Sequence, residues 1–387
     1  MSDAPQAATP PVRRTEAVRI AITGAEGFIG RNLDVRLGET GQTDIVRIVR
    51  STPRDELSRR LAGVDLVFHL AGVNRPTNPA EFATGNADFT AELCDVLAGL
   101  AKPPRIVVSS STQAALDNPY GQSKRRAEEI VKAYGARTGA GVNIFRLTNV
   151  FGKWSRPNYN SAVATFCHNI AHGLSITIND PGAPLRLVYV DDVVEAFLSL
   201  ARDEAAPGGF LEAAPVYETT VGAVADMIRS FAASRDDLTT PPVGTGLARA
   251  LHATYLSFLA PAAFTYTVPV HTDPRGSFVE MLKTRDSGQF SYFTAHPGIT
   301  RGEHYHHSKT EKFLVIKGTA SFGFRQIVTG ETFELVIHGG EATIVETIPG
   351  WAHNVTNIGD DELIVMLWAN EIFDRTRPDT IAAKVKP

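Results

Sequence analysis

Cysteine is almost missing from this chain: its 387 residues include only Cys94 and Cys167. Two thiols cannot build a disulfide framework, which excludes the stapled secreted scaffolds and predicts a reducing, cytoplasmic setting. Long apolar runs are missing too; none approaches the roughly 18 residues a membrane-spanning helix needs. Charge of one sign is not in excess. The formal net charge is −4 with 21% charged residues, so no basic field points to nucleic acid or anionic lipid. The opening MSDAPQAATPPVRRTEA lacks the apolar centre of a secretory signal. Its Ala/Pro-rich composition predicts a disordered tail over residues 1–16. No internal repeat links one half of the chain to the other.

What is present has two textures. Over residues 17–245, short apolar runs (VRIAIT, DIVRIVR, DLVFHLA, RIVVSS, VNIFRL) alternate with helical patterns such as NPAEFATGNADFTAELCDVLAGL. Those runs are too continuously apolar to have a wet face, so they predict a doubly wound parallel sheet of Rossmann type. Residues 246–264 contain ARALHATYLSFLAP, a short linker helix. From 265 to 387 the runs are short, aromatic and β-branched, with turn residues every 8–12 positions, the pattern of an all-β sandwich or barrel. Two domains of different fold class share the chain.

TGAEGFIGRNL follows the first strand and opens a helix, spacing Gly24, Gly27 and Gly30 as GxxGxxG. Glycines let the backbone approach a pyrophosphate, whose charge then meets the helix N-terminus; Phe28, Ile29 and Arg31 complete that turn. Farther on, DNPYGQSK places Tyr120 and Lys124 four apart, on one face of a helix that Pro119 begins. A surface Tyr and Lys would look the same. These two, however, follow RIVVSS, whose C-terminal end carries Ser109, Ser110, Ser111 and Thr112, and ligands bind at that end of a parallel sheet. An ammonium ion beside a phenol favours phenolate, so Lys124 is expected to lower the Tyr120 pKa and make it a proton donor to an alkoxide.

With these motifs in register, residues 18–236 resemble the nucleotide-sugar-modifying branch of the extended short-chain dehydrogenase/reductases. HLAG (His69, Leu70, Ala71, Gly72), Asn86, RLTNVFG and LVYVDDV agree with that branch. The resemblance implies that Ser111 or Ser110 hydrogen-bonds the substrate carbonyl and that Lys124 also holds the nicotinamide ribose. Dehydratases of the branch carry an Asp-Glu pair where this chain has Thr112 and Gln113, which argues against dehydration. At the end of the second strand, VRIVRS offers Arg47 and Arg50, with Arg31 nearby, in place of an acid. Arginines suit a 2′-phosphate, so the expected cofactor is NADPH.

In the second half, RGEHYHHSKTEKFLVIKG gives His304, His306, Glu311 and Gly318, and PGWAHNVTN gives Pro349, Gly350, His353 and Asn357. These match the two cupin motifs in residues and intervals. Strand residues two apart share a face, so His304 and His306 are expected to point into the barrel together, with His307 outward. Three imidazoles and a carboxylate suit a divalent transition metal, zinc before others. DPRGSFVE and RGEHYHH also resemble the sugar-nucleotide 3,5-epimerase cupins. That resemblance makes His304 a base removing a proton beside a sugar ketone, with Arg275 and Arg301 gripping a diphosphate. One imidazole lone pair cannot be base and ligand at once.

A single ketone explains the pairing of halves: it acidifies the neighbouring C–H for epimerisation, and its reduction then fixes the new centre. AGVNRP (with Asn74), DNPYGQSK, NVFGKWSRPNYNS, RGEHYHHSKTEKF and PGWAHNVTN followed by LWANEIFD resemble the bifunctional capsular-polysaccharide and O-antigen enzymes of the CapF/WbjC type. This implies C3 epimerisation of a UDP-2-acetamido-2,6-dideoxy-4-hexulose and reduction to UDP-2-acetamido-2,6-dideoxy-L-talose, the precursor of UDP-N-acetyl-L-fucosamine, by a homodimer. Asn74 is a candidate substrate contact, and Lys153, Arg156 and Asn160 are placed against the UDP diphosphate. The alternatives are an NADP-dependent ketoreductase whose cupin only binds substrate or holds a dimer, and a non-catalytic sugar-nucleotide sensor.

Overall fold

The apolar runs become strands Ile20–Thr23, Ile45–Ile48, Leu66–His69, Arg105–Ser111 and Val142–Leu147, joined by Gly209–Leu211. All pair in parallel, in the spatial order 45–48, 20–23, 66–69, 105–111, 142–147, 209–211. The protein is seen in a computed structural model that describes residues 18–386 apart from 77, 79–80, 204–207, 274–275, 280–281, 285–287 and 372–375; for 270–273, 276–279, 283–284, 289 and 291 the backbone alone is described. Strands Ile20–Thr23 and Leu66–His69 are buried at every position, as expected for a sheet covered on both faces.

The helices are α1 (Phe28–Glu39), α2 (Leu57–Leu61), α3 (Phe89–Ala98), α4 (Pro119–Thr138), α5 (Ala162–Ala171), α6 (Val190–Arg202), α7 (Val221–Asp237) and α8 (Gly246–Leu256). The chain leaves Ile20–Thr23 toward one side of the sheet and returns on the other at Leu66–His69. That reversal is the switch point, and the crevice above it is where an open α/β sheet binds its ligand. Among the described residues no helix is long and apolar enough to cross a membrane.

The second half folds as two five-stranded sheets. One has the order 265–267, 343–346, 311–317, 363–369, 289–295; the other 332–338, 319–326, 351–357, 300–305, 381–382. All of their pairings are antiparallel. The fold is therefore a Rossmann-type parallel sheet plus an all-β cupin.

The two halves share one core. A single apolar cluster runs from Ile22 and Phe145 through Phe231 and Tyr255 to Phe264, Phe324 and Trp368. Helix α8 is buried from Ala250 to Leu256 instead of crossing solvent as a bridge. Phe264, just beyond it, meets Phe324, Phe333 and Trp351 with ring centroids 5.5, 6.1 and 5.0 Å apart.

Candidate functional site

At the switch point the first strand ends in a turn that only glycine can make. Gly24 has φ +70°, and a Cβ there would lie 2.8 Å from the Ala71 nitrogen. A Cβ on Gly30 would lie 2.2 Å from the Gly24 carbonyl oxygen. Gly27 caps α1 without a side chain, and the first turn, with Phe28 and Ile29, carries no acid. The first amide N–H groups of α1 are thus left for an anion. Leu70 and Ala71 are tied to the turn through Thr23, whose carbonyl and hydroxyl accept their N–H groups at 3.2 Å each. This cradle fits a dinucleotide pyrophosphate.

Asn86 is buried and pins the end of the next strand: its Oδ1 accepts Val73 N–H at 2.8 Å, and its Nδ2 donates to the Val73 carbonyl and the Ser123 hydroxyl. Gly72 faces both Asn86 Oδ1 and Lys124 Nζ, where a Cβ would stand 3.0 and 3.3 Å away. Arg31 and Arg50 are exposed, without an ion pair among the described residues, whereas Arg47 grips Asp34 at 2.8 and 2.9 Å.

Helix α4 brings Tyr120 and Lys124 to this crevice on successive turns. Asn118 caps it by accepting Gly121 N–H at 2.8 Å, with Pro119 at the first helical position. Lys124 donates to the Ser109 carbonyl at 3.0 Å, and burial lowers its pKa to about 8 against the opposing effect of Glu128. The expected depression of Tyr120 is not found. Burial raises its pKa, and the Ser111 hydroxyl, not Lys124, opposes that rise. The two neighbouring serines differ as well. Ser110 donates to buried Glu128 at 2.5 Å, and Arg146 clamps the same carboxylate at 2.7 and 2.9 Å. Ser111 lies beside Tyr120 and accepts Gln113 N–H.

An open cavity of about 560 Å³ lies beyond, lined by Arg75, Tyr159, Asn160, Phe166, Thr177 and Asp180 among others. Asn74 precedes Arg75 in a half-buried bend. Arg156 stacks on the Tyr159 ring at 5.2 Å. Lys153 does not join them. It is 1% exposed and its Nζ lies 2.5 Å from Asp191, so a cation expected to meet a diphosphate is instead neutralised inside the fold.

In the cupin half, His304, His306, Glu311 and His353 place one ligand atom each within 4.8 Å of one another. The reason differs from simple strand alternation. The strand ends at Tyr305 after a bulge between Gly302 and His304, and His306 turns in from the following loop. His304 is paired across the ladder with His353. His306 Nε2 and His353 Nε2 lie 3.2 and 3.4 Å from Glu311 Oε2. Beyond that approach to Glu311, neither ring nitrogen of buried His353 has a well-aligned hydrogen-bond partner among the described residues. Orphaned imidazole nitrogens beside a buried carboxylate fit a transition-metal site. Burial, then the neighbouring His353 and His306, lower the His304 pKa to about 4. Arg301 is exposed and donates to the Thr294 carbonyl at 2.9 Å; Arg275 lies outside the described residues.

His307 is not outward. It is 7% exposed and its Nε2 meets Glu39 of α1 at 2.8 Å, while Tyr189 donates to its carbonyl at 3.4 Å. The reductase-like half covers the position that would otherwise be solvent.

Residues 20–211 match the NAD dependent epimerase/dehydratase family, and 271–381 the polysaccharide biosynthesis C-terminal domain. A UDP-2-acetamido-2,6-beta-L-arabino-hexul-4-ose reductase of Pseudomonas aeruginosa is 54% identical over 95% of this chain and 99% of its own. The capsular polysaccharide assembling protein CapF of Staphylococcus aureus superposes with a TM-score of 0.65 and 41% identity, over 95% of this chain and 100% of that one. The chain belongs to the CapF/WbjC family of capsular-polysaccharide and O-antigen enzymes. A CapF structure with the inhibitor 3-isopropenyl-tropolone matches at 37% identity and TM-score 0.60, over 94% of this chain and 99% of that one. The N-terminal half is thus a nicotinamide-dependent unit.

Within this CapF-family chain, His69 of HLAG has a positioning role that the motif alone does not show. Its Nδ1 meets Thr23 Oγ1 and its Nε2 meets Thr90 Oγ1, both at 2.8 Å, and burial lowers its pKa to about 3. A neutral imidazole therefore ties the glycine turn to α3. The cavity-lining Thr177–Asp180 stretch carried no sequence signal, because a polar loop becomes a wall only once the fold closes around it.

Proposed function

We propose that the chain converts a UDP-2-acetamido-2,6-dideoxy-4-hexulose in two steps: C3 epimerisation in the cupin and NADPH-dependent C4 reduction in the α/β half. The product is UDP-2-acetamido-2,6-dideoxy-L-talose, on the way to UDP-N-acetyl-L-fucosamine. The observation that carries this reading is one chain holding both a Tyr120/Lys124 pair at the sheet's C-terminal end and a buried His306/Glu311/His353 set beside His304. The name of the Pseudomonas relative supplies the substrate class.

In the reductase, the nicotinamide supplies hydride. Ser111 holds the ketone oxygen, and Tyr120 gives its phenolic proton to the oxygen as it gains charge. Lys124 steadies the phenolate left behind and orients the ribose. Arg31 and Arg50, exposed and without an ion pair among the described residues, would take the 2′-phosphate of NADP. Arg75 and Asn160 line the cavity, with Arg156 stacked on its Tyr159, and these would take the UDP moiety.

In the cupin, His304 is the one half-exposed member of the four, while the other three are buried. His304 is the base that lifts the C3 proton, and a proton from solvent added on the opposite face completes the inversion; His306, Glu311 and His353 would hold zinc. A bound divalent ion would polarise the neighbouring ketone oxygen. Arg301, and Arg275 outside the described residues, would meet the diphosphate. A homodimer in the cytoplasm is part of the same reading.

A second reading has its own support, since the relative is named only as a reductase. There the cupin would bind without catalysing. Incubating the protein and 4-ketosugar nucleotide in deuterated water decides between them. Deuterium at C3 without added NADPH supports the epimerase, and its absence leaves only the reductase. Tyr120→Phe should abolish NADPH consumption and spare that exchange; simultaneous loss of both would count against separate sites.

A further inference from the structure

The loop after the first cupin strand is held by a residue from the far end of the chain. Asp379 Oδ1 accepts the N–H of His307 at 2.8 Å; Oδ2 accepts the N–H groups of Ser308 and Lys309 at 2.7 Å each and the Ser308 hydroxyl at 3.1 Å. Three successive amides around one carboxylate make an anion nest. The main-chain carbonyl of the same Asp379 accepts the Nδ1–H of His306. In the neutral imidazole that bond fixes the tautomer of His306 and makes Nε2, 3.2 Å from Glu311 Oε2, the atom that would turn its lone pair to a metal.

We infer that Asp379 is a positioning residue of the His304/His306/Glu311/His353 site, and that the segment 376–386 is a working part of that site. The side chain locks the loop, and the locked loop holds His306 against the carbonyl that sets its tautomer. Without the carboxylate, residue 379 keeps its carbonyl and the neighbouring ladder of 381–382 with 304–305 but loses its four bonds to the loop, so the imidazole is held less firmly. The segment has a second anchor away from the site: Arg325 donates to the Lys384 carbonyl at 2.7 and 2.9 Å. This anchor separates the effect of Asp379 from mere tethering.

The inference rests on the proposed metal site, and the test distinguishes the two. Full-length protein is loaded with zinc, and release to an excess of chelator is timed; cobalt-loaded protein is followed through its visible absorption. Asp379→Ala should speed zinc release about 10- to 100-fold and change the cobalt spectrum, with Asp379→Asn in between as the milder variant. Arg325→Ala should leave both unchanged. Wild-type protein that takes up neither ion would overturn the metal reading and this inference together. Tight wild-type binding with unaltered release and spectrum in both Asp379 variants overturns the inference alone. A lower melting temperature of the metal-free variants, with release unchanged, assigns Asp379 to folding and likewise overturns it.

Discussion

Lys124 donates to the Ser109 carbonyl from within the crevice, and its role requires a proton that burial makes easier to lose. The folded pKa is displaced downward to about 8, so the ammonium form persists below that value and is lost as pH rises through it. The kcat/KM for NADPH, which reports the enzyme before the cofactor binds, should therefore turn down near pH 8, well below the ordinary lysine range of about 10. A pH profile flat to pH 10 would contradict this. The Tyr/Lys pair was legible because residues four apart on a helix share a face whatever surrounds them. The division of labour between Ser110 and Ser111 was not. It depends on Glu128, two turns along α4 from Tyr120, and on Arg146 from the adjacent strand. Lys153 misled for the same reason: a charge in a loop looks solvent-facing until Asp191, 38 residues on, is placed beside it.

Helix α4 is the element on which the reductase chemistry stands, and its first turn is fixed by a cap. Asn118 has extended backbone angles and its side chain accepts Gly121 N–H. Asn118→Ala should cost about 1 kcal/mol of stability, read as a lower denaturation midpoint. Because Tyr120 is in the first turn, kcat for reduction should fall more than KM rises, with cupin-catalysed exchange unchanged. The helix start was readable from Asn-Pro in sequence. The cupin strand was only half readable: period-two alternation put His304 and His306 together, but a bulge and a loop produce the approach. A bulge shifts register by one residue, and hydrophobic alternation carries little trace of it.

At the scale of the whole molecule, the change of texture after about residue 236 raised the expectation of two fold classes in one chain. It did not show that the halves share a core, since an apolar side chain has the same identity whether it packs on its own domain or the next. The interface also buries charge. Glu346 from the cupin meets Lys312 at 3.2 Å and Arg235 of α7 at 3.0 Å, and all three are at most 13% exposed. Burial alone would raise the Glu346 pKa, but Lys312 and Arg235 outweigh it and hold the carboxyl below its usual range. With its folded pKa depressed, Glu346 contributes stability above an unfolded value of about 4.3 and loses it as acid protonates the folded carboxylate. Glu346→Gln keeps the shape and leaves two buried cations unneutralised, so it should destabilise the protein by about 3–5 kcal/mol. Replacing the three charged side chains together by Met or Leu should recover most of that loss, because the desolvation cost disappears with the charges. Calorimetry reads the consequence of the shared core: wild type and Glu346→Gln should each unfold in one transition, shifted down in the variant. Two separated transitions in the wild type would mean that the halves fold independently and that the cluster joins them only weakly.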